Sequence, residues 1–225
     1  MQSQNAAELD WRDGTIPVSR QFDDPYFSIE NGMAETAYVF LQGNGLPDRF
    51  RPDFHIAELG FGTGLNLLMT LSLWRRSGQT GRLHFTTFEA FPMAQPDMMR
   101  ALAAFPDIMP LAEELSDHLG TPRFETADLS FTMVLGDARE TLQNWQGAAD
   151  AWFLDGFSPA KNPQLWEASL MTAVAQHTKA GGTAATYTAA GFVRRNLTEA
   201  GFTVERIPGY GRKRHMTVAH IPEAK

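Results

Sequence analysis

From residue 54 onward, apolar and polar positions switch repeatedly between two periods. Short apolar runs at 54–58, 83–88, 131–135, 149–154, 183–187, 202–207 and 215–220 predict strands. Residues 65–76 carry Leu65, Leu68, Met69, Leu71, Leu73 and Trp74 at helical spacing, and similar patterns predict helices at 97–119, 139–145, 163–178 and 192–200. Pro106 and Pro110 predict a break or kink in the second of these helices. Strands alternating with helices predict an α/β fold with a mostly parallel sheet covered on both faces. Only residues 208–214 separate the last two strands, too few for a crossover helix, so a C-terminal antiparallel strand pair is expected. Residues 1–52 lack the alternation. They hold turn signals at Asn31-Gly32 and Gly43-Asn44-Gly45 and one aromatic run, Tyr38-Val39-Phe40-Leu41, and read as an irregular N-terminal extension packing on a main domain at 53–225.

Composition narrows the class without naming a chemistry. Of 225 residues, 43% are apolar and 20% charged, which suits a globular protein with a substantial core. The length fits one domain with at most a small appendage. There is no cysteine, which excludes disulfides, thiolate metal sites and a cysteine nucleophile. The six histidines are scattered without ligand spacing, so no metal is expected. Residues 1–20 are polar and contain Glu8, Asp10 and Asp13, unlike a signal peptide. No run approaches the about eighteen apolar residues of a membrane span, and the expectation is a soluble cytoplasmic protein without membrane contact.

Net charge is −7, but it is unevenly spread. Residues 186–225 carry seven Lys/Arg against three Asp/Glu, a balance of +4, which leaves −11 on the rest. The cationic positions include Arg194, Arg195, Arg206, Arg212, Lys213 and Arg214. Such a cluster suits either a phosphate backbone or a solvated helix face with a charged turn.

The strongest local motif is Glu58-Leu59-Gly60-Phe61-Gly62-Thr63-Gly64-Leu65-Asn66, between a strand and a helix. Glycines allow a sharp turn and close approach of a ligand, and the helix start offers free N–H groups. The alternate glycines Gly60, Gly62 and Gly64 depart from the nicotinamide fingerprint G-x-G-x-x-G. They resemble motif I of the class I methyltransferases, whose loop cradles the methionine part of S-adenosylmethionine. Glu58, Phe61 and Asn66 are grouped with this loop, although Glu58 also reads as a buried structural carboxylate. Glu89 ends the next strand, where an acid can accept both ribose hydroxyls. Asp137 ends the third; the class I resemblance implies that an acid here accepts from the adenine amino group, beside a backbone N–H such as that of Ala138, and the alternative is a helix N-cap. The fourth strand runs out through Trp152-Phe153-Leu154-Asp155-Gly156-Phe157-Ser158-Pro159-Ala160-Lys161-Asn162-Pro163. The methyl acceptor is expected there, facing the sulfonium, and Asp155 emerges from an apolar run, where its environment can tune a carboxylate that orients an amine and takes its proton. Phe157 and the two prolines form a stiff lip beside it.

These blocks, with Phe22-Asp23-Asp24-Pro25-Tyr26-Phe27-Ser28, Asn31-Gly32, Gly191-Phe192-Val193-Arg194-Arg195 and Gly209-Tyr210-Gly211-Arg212-Lys213-Arg214, resemble the methyltransferase domain of the tRNA 5-methylaminomethyl-2-thiouridine biosynthesis proteins, the MnmC/MnmD family. The resemblance spans almost the whole chain, and the Leu-Asp-Gly-Phe-Ser-Pro-Ala-Lys-Asn-Pro block is its most diagnostic part. It implies a class I S-adenosylmethionine-dependent methyltransferase fold, which is Rossmann-like, with residues 53–225 as the methyltransferase domain. It implies methyl transfer to the amine of a 5-aminomethyl-(2-thio)uridine at the tRNA wobble position. Catalysis then falls to Asp155 and Phe157. Tyr26, Phe27, Asn31 and Lys161 face the substrate, with the aromatics stacking on an extruded base. Arg194, Arg195, Arg212, Lys213 and Arg214 become candidate tRNA contacts. Many relatives also carry an FAD-dependent oxidase domain, which has no counterpart in this sequence. A stand-alone enzyme, a separate oxidase partner and a fragment of a bifunctional protein all fit.

Three rivals use the same residues differently. An N-methyltransferase or aminopropyltransferase for a small amine would need the same strand-end acids, and the basic clusters argue for a polyanion instead. A nicotinamide oxidoreductase conflicts with the glycine spacing. An RNA-binding module with a dead pocket conflicts with intact Glu58, Glu89, Asp137 and Asp155.

Overall fold

The computed structural model describes residues 6–28 and 31–223. The chain opens with β1 (Leu9–Arg12), β2 (Ile16–Ser19) and β3 (Asp24–Pro25), which form a small antiparallel sheet. The short helix α1 (Gly32–Thr36) continues into a π-helical turn over Ala37–Leu41. The segment expected to be irregular is therefore ordered over its described residues. Its strands are two to four residues long, too short to leave a periodic signal.

The main body follows as β4 (His55–Leu59), α2 (Leu65–Arg76), β5 (Leu83–Glu89), α3 (Gln95–Leu102), α4 (Met109–Glu114), β6 (Arg123–Glu125), β7 (Leu129–Leu135), α5 (Ala138–Thr141), β8 (Ala149–Leu154), α6 (Ala168–Gln176), β9 (Thr178–Thr186), α7 (Gly191–Glu199), β10 (Thr203–Pro208) and β11 (His215–His220). The large sheet has the order β10-β11-β9-β8-β4-β5-β7-β6. Strands β9, β8, β4, β5 and β7 are parallel, while β6 at one edge and β11 near the other run antiparallel to their neighbours. β10 and β11 pair antiparallel from Thr203↔His220 to Pro208↔His215, and β11 lies between β10 and β9.

Burial on both faces explains the unbroken apolar runs. All of β8 is buried, and its side chains alternate between two cores. Ala151 and Phe153 join Ile56, Phe85, α2 and the π-helical turn on one face, whereas Trp152 and Leu154 join Ala57, Leu59, α6 and α7 on the other. The π-helical turn contributes Val39, Phe40 and Leu41, so this N-terminal segment shares the core of the sheet.

Two helical expectations shift. The predicted helix at 97–119 is two helices, and Pro110 stands in the first turn of α4, where its fixed φ suits a helix start. The pattern at 163–178 resolves into a 3-10 turn (Pro163–Trp166) and α6, and Thr178 already begins β9. Among the described residues no helix is long and apolar enough to cross a membrane.

Candidate active site

Strand order reverses at β4. The chain leaves it toward β5 and β7, then returns to its other side as β8. In open parallel sheets a crevice forms at the carboxyl ends on such a switch point. The loop after β4 carries Gly60, Gly62 and Gly64, all at positive φ (+88°, +56° and +80°). Gly60 has a second constraint: a Cβ there would lie 2.5 Å from the Asp155 carbonyl oxygen, so the loop can cross the end of β8 only without a side chain. Glu89 fixes the loop from the other side. Its Oε2 accepts from the Phe61 and Gly62 N–H groups at 2.9 and 3.2 Å, and its Oε1 from Phe91 N–H at 2.7 Å. The Phe61 ring turns away into the core, 5.2 Å from Phe131.

Asn66, in the first turn of α2, connects the acids of β4 and β8. Its Nδ2 donates to Glu58 Oε1 at 2.9 Å and to Asp155 Oδ2 at 2.7 Å, while its Oδ1 accepts from Thr36 Oγ1 at 2.9 Å. Glu58 is fully buried, and its Oε2 has no hydrogen-bond partner among the described residues. Burial pushes its carboxyl well above the usual carboxylate range, against the Asn66 hydrogen bond. Asp155 keeps some surface toward the crevice yet lies deep among protein atoms. That depth raises its pKa to about 7; the Asn66 hydrogen bond and Lys213 oppose the rise, and Glu35 adds to it.

These acids border a cavity of about 690 Å³. Gly60, Phe61, Gly62, Asn66, Glu89, Asp137, Ala138, Asp155 and Phe157 all line it, as do Tyr26 and Phe27. An aromatic lip closes one side, where Phe22 stacks on Phe157 at 4.7 Å and Tyr26 meets the same ring edge-on at 5.0 Å. The lip is tied down. Ser158 N–H donates to Asp24 Oδ2 at 2.9 Å, and Lys161 Nζ donates to the Asp23 carbonyl and stands 3.6 Å from Asp24 Oδ1.

Several expected site residues do structural work. Lys161 holds the Asp23-Asp24 turn. Asn31 caps α1 through Ala34 N–H at 2.9 Å. Phe27 also packs edge-on against Phe105 at 4.9 Å. Asp137 caps α5 through Arg139 N–H at 2.9 Å and pairs with the Arg139 guanidinium, which holds its carboxyl below the usual range. Thus the cap reading of Asp137 is realised while the residue still borders the cavity.

The basic positions separate. Arg212 and Lys213 line the cavity, and Arg214 is exposed on the same turn. Arg194 and Arg195 line a different, shallow recess with Thr198 and Val204. Desolvation lowers the His215 pKa, and the charges of Arg206, Arg214 and Arg194 lower it further. Glu35 and Tyr187 also line the cavity, and sequence reasoning did not single them out. Tyr187 lies just past β9, a strand-end position like those of Glu89 and Asp155 and the one signal that could have found it. Glu35 carries no comparable signal.

The donor set fits S-adenosylmethionine. Glu89 and Asp137 stand at the ends of adjacent parallel strands and offer acceptors for hydroxyl and amino groups. The glycine loop opens the N-terminus of α2, whereas Glu58, fully buried in the preceding strand, is not among the residues that line the cavity. Among the described residues no cluster of three or more His, Cys, Asp or Glu could hold a metal.

Comparison with known proteins agrees. A family model described as S-adenosyl-L-methionine-dependent methyltransferase matches residues 109–222, just over half the chain. The bifunctional tRNA 5-methylaminomethyl-2-thiouridine biosynthesis protein MnmC of Hahella chejuensis is 45% identical over 94% of this chain, and that of Caulobacter vibrioides 47% over 95%. The chain spans 36% and 38% of the lengths of these two relatives. The crystal structure of MNMC2 from Aquifex aeolicus superposes with a TM-score of 0.76 at 27% identity, covering all of this chain and 74% of that one. The strand order, the glycine loop, the ring of strand-end acids and the family match together make this chain a member of the S-adenosyl-L-methionine-dependent methyltransferase family.

Proposed function

We propose that the chain methylates the amine of 5-aminomethyl-(2-thio)uridine at the wobble position of tRNA, giving the 5-methylaminomethyl form. The observation that carries this reading is Asp155, a carboxylate deep in the cavity with a pKa raised to about 7 and an aromatic wall beside it. Bound S-adenosylmethionine supplies a methyl group on a positively charged sulfur. A primary amine reaches neutral pH mostly as an ammonium and must shed a proton before its lone pair is free. A carboxylate whose pKa lies near ambient pH is matched to receive that proton. Asn66 holds the Asp155 carboxylate in place through Oδ2, which leaves Oδ1 for the amine. The rings of Phe22, Tyr26 and Phe157 exclude water and offer faces to a flipped base.

Support for tRNA comes from the names of the relatives and from the guanidiniums at Arg194, Arg206 and Arg214, a cationic surface on an acidic protein. The aminomethyl group would come from a trimming reaction, which the resemblance gives to an FAD-dependent oxidase, fused or separate. The test is incubation with methyl-labelled S-adenosylmethionine and tRNA from cells lacking this methylation, followed by digestion and nucleoside identification. Label in 5-methylaminomethyluridine, thiolated or not, is the expected result. Unlabelled tRNA with intact cofactor binding would return the acceptor to the small amines.

A further inference from the structure

One charged contact in the cavity is not explained by holding the cofactor or by the proton acceptor. Lys213 reaches inward from the turn between β10 and β11, and its Nζ lies 2.5 Å from Glu35 Oε1. The same Nζ stands 4.0 Å from the centroid of the Tyr187 ring, over its face. Tyr187 is anchored by donating its hydroxyl to the Gly156 carbonyl at 2.8 Å, one residue past Asp155. Glu35 is itself well covered, with 13% of its side chain exposed, whereas Lys213 has 43% exposed and comes from a surface turn. The ammonium thus comes in from an exposed turn, and its receptor is held by the fold.

A carboxylate beside an aromatic face is the chemistry that recognises an ammonium ion. The receptor shares the cavity with Asp155, and Glu35 and Lys213 both lie near enough to influence the Asp155 carboxyl. We propose that Glu35 and the Tyr187 ring form the docking subsite for the ammonium group of the incoming acceptor, and that Lys213 occupies this subsite in the free enzyme as a stand-in for the substrate. On binding, the acceptor's ammonium replaces the Lys213 ammonium against Glu35, with no net change in charge at the subsite. The displaced side chain swings outward on its turn, beside Arg212 and Arg214, where it can meet a phosphate. A cationic acceptor that brings its own polyanion therefore supplies both halves of the exchange, and a bare small amine supplies only the first. This specificity rests on the proposed tRNA-amine reading; the subsite itself can be tested without tRNA.

Benzylamine, an aromatic ring bearing an aminomethyl group, is the probe. Its binding to cofactor-loaded protein is measured by calorimetry for wild type, Lys213→Met, Glu35→Gln and the double variant, each checked for an unchanged thermal transition. Emptying an occupied subsite removes the competition for it, so Lys213→Met should bind benzylamine about tenfold more tightly than wild type. The gain should disappear in the double variant, and Lys213→Arg should stay near wild type. Equal affinity in wild type and Lys213→Met would overturn the proposal, as would a gain that survives loss of Glu35. Methyl transfer to tRNA by the wild type is scored separately. Its absence would remove the tRNA reading and leave the benzylamine result to judge the subsite.

Discussion

Asp150 and Asp155 lie at opposite ends of β8, and the fold treats them in opposite ways. At the amino end, Asp150 has 4% of its side chain exposed and is saturated with donors: Arg51, Lys179 Nζ at 2.7 Å and the His55 N–H at 2.8 Å. Arg49 also donates to its carbonyl at 3.0 Å. At the carboxyl end, Asp155 accepts from the neutral amide of Asn66, and burial lifts its pKa to about 7. One acid is neutralised in place and holds residues 49–55 against the sheet. The other is left short of donors beside a cavity, which is how a carboxyl is kept ready to exchange a proton. Both end the same apolar run, so sequence position alone does not separate them; the number and charge of their neighbours does.

Substitutions can break this contrast in order of expected effect. Asp155→Ala should lower methyl transfer on the order of a thousandfold while cofactor affinity stays near wild type. Single-turnover labelling paired with equilibrium binding checks this, and an equal loss of binding would move Asp155 from proton transfer to cofactor holding. Gly60→Ala forces a Cβ against the Asp155 carbonyl at a positive φ. It should cost about 2–3 kcal/mol in denaturant unfolding and weaken cofactor binding as the loop shifts. Asp150→Asn leaves Arg51 and Lys179 facing a neutral amide. Both cations are partly exposed (58% and 37%), so the loss should be only about 1–2 kcal/mol, with the rate constant of the bound complex unchanged.

One further effect has a definite sign. A carboxyl whose pKa rises from 3.8 to about 7 on folding takes up a proton in that interval, so ionised Asp155 makes native stability fall as pH climbs from about 4 to about 7. Asp155→Asn should therefore melt a few degrees higher than wild type at pH 8, with the difference fading toward pH 4. A scan showing no pH dependence in that difference would mean the site is better solvated than its depth implies.

The parts of this site that were legible in the sequence share one property: local geometry demands a particular residue type. Gly60 and Gly64 stand where φ is positive, and Asp155 and Glu89 interrupt apolar runs at strand ends. What stayed hidden depends on contacts across the chain. Glu35 reaches the cavity because α1 leads into the buried turn at Ala37–Leu41, which packs on the sheet. Lys213 was expected among phosphate contacts because three cations adjoin in sequence, yet a turn of this kind points neighbouring side chains in different directions, and Lys213 faces Glu35. Lys161 was expected to face the substrate, and its partners Asp23 and Asp24 lie more than a hundred residues away. The small N-terminal sheet escaped because its strands, two to four residues long, span at most two side-chain repeats.

The central claim is that Asp155 is the acid kept ready for the acceptor's proton. It is tested most directly by the pH dependence of single-turnover methyl transfer at saturating tRNA, measured for wild type and Asp155→Asn. The account predicts a wild-type rate that climbs through pH about 7 and then levels, and a slow variant without that inflection. The same inflection in both proteins, or a wild-type rate that is flat from acid to base, would contradict it.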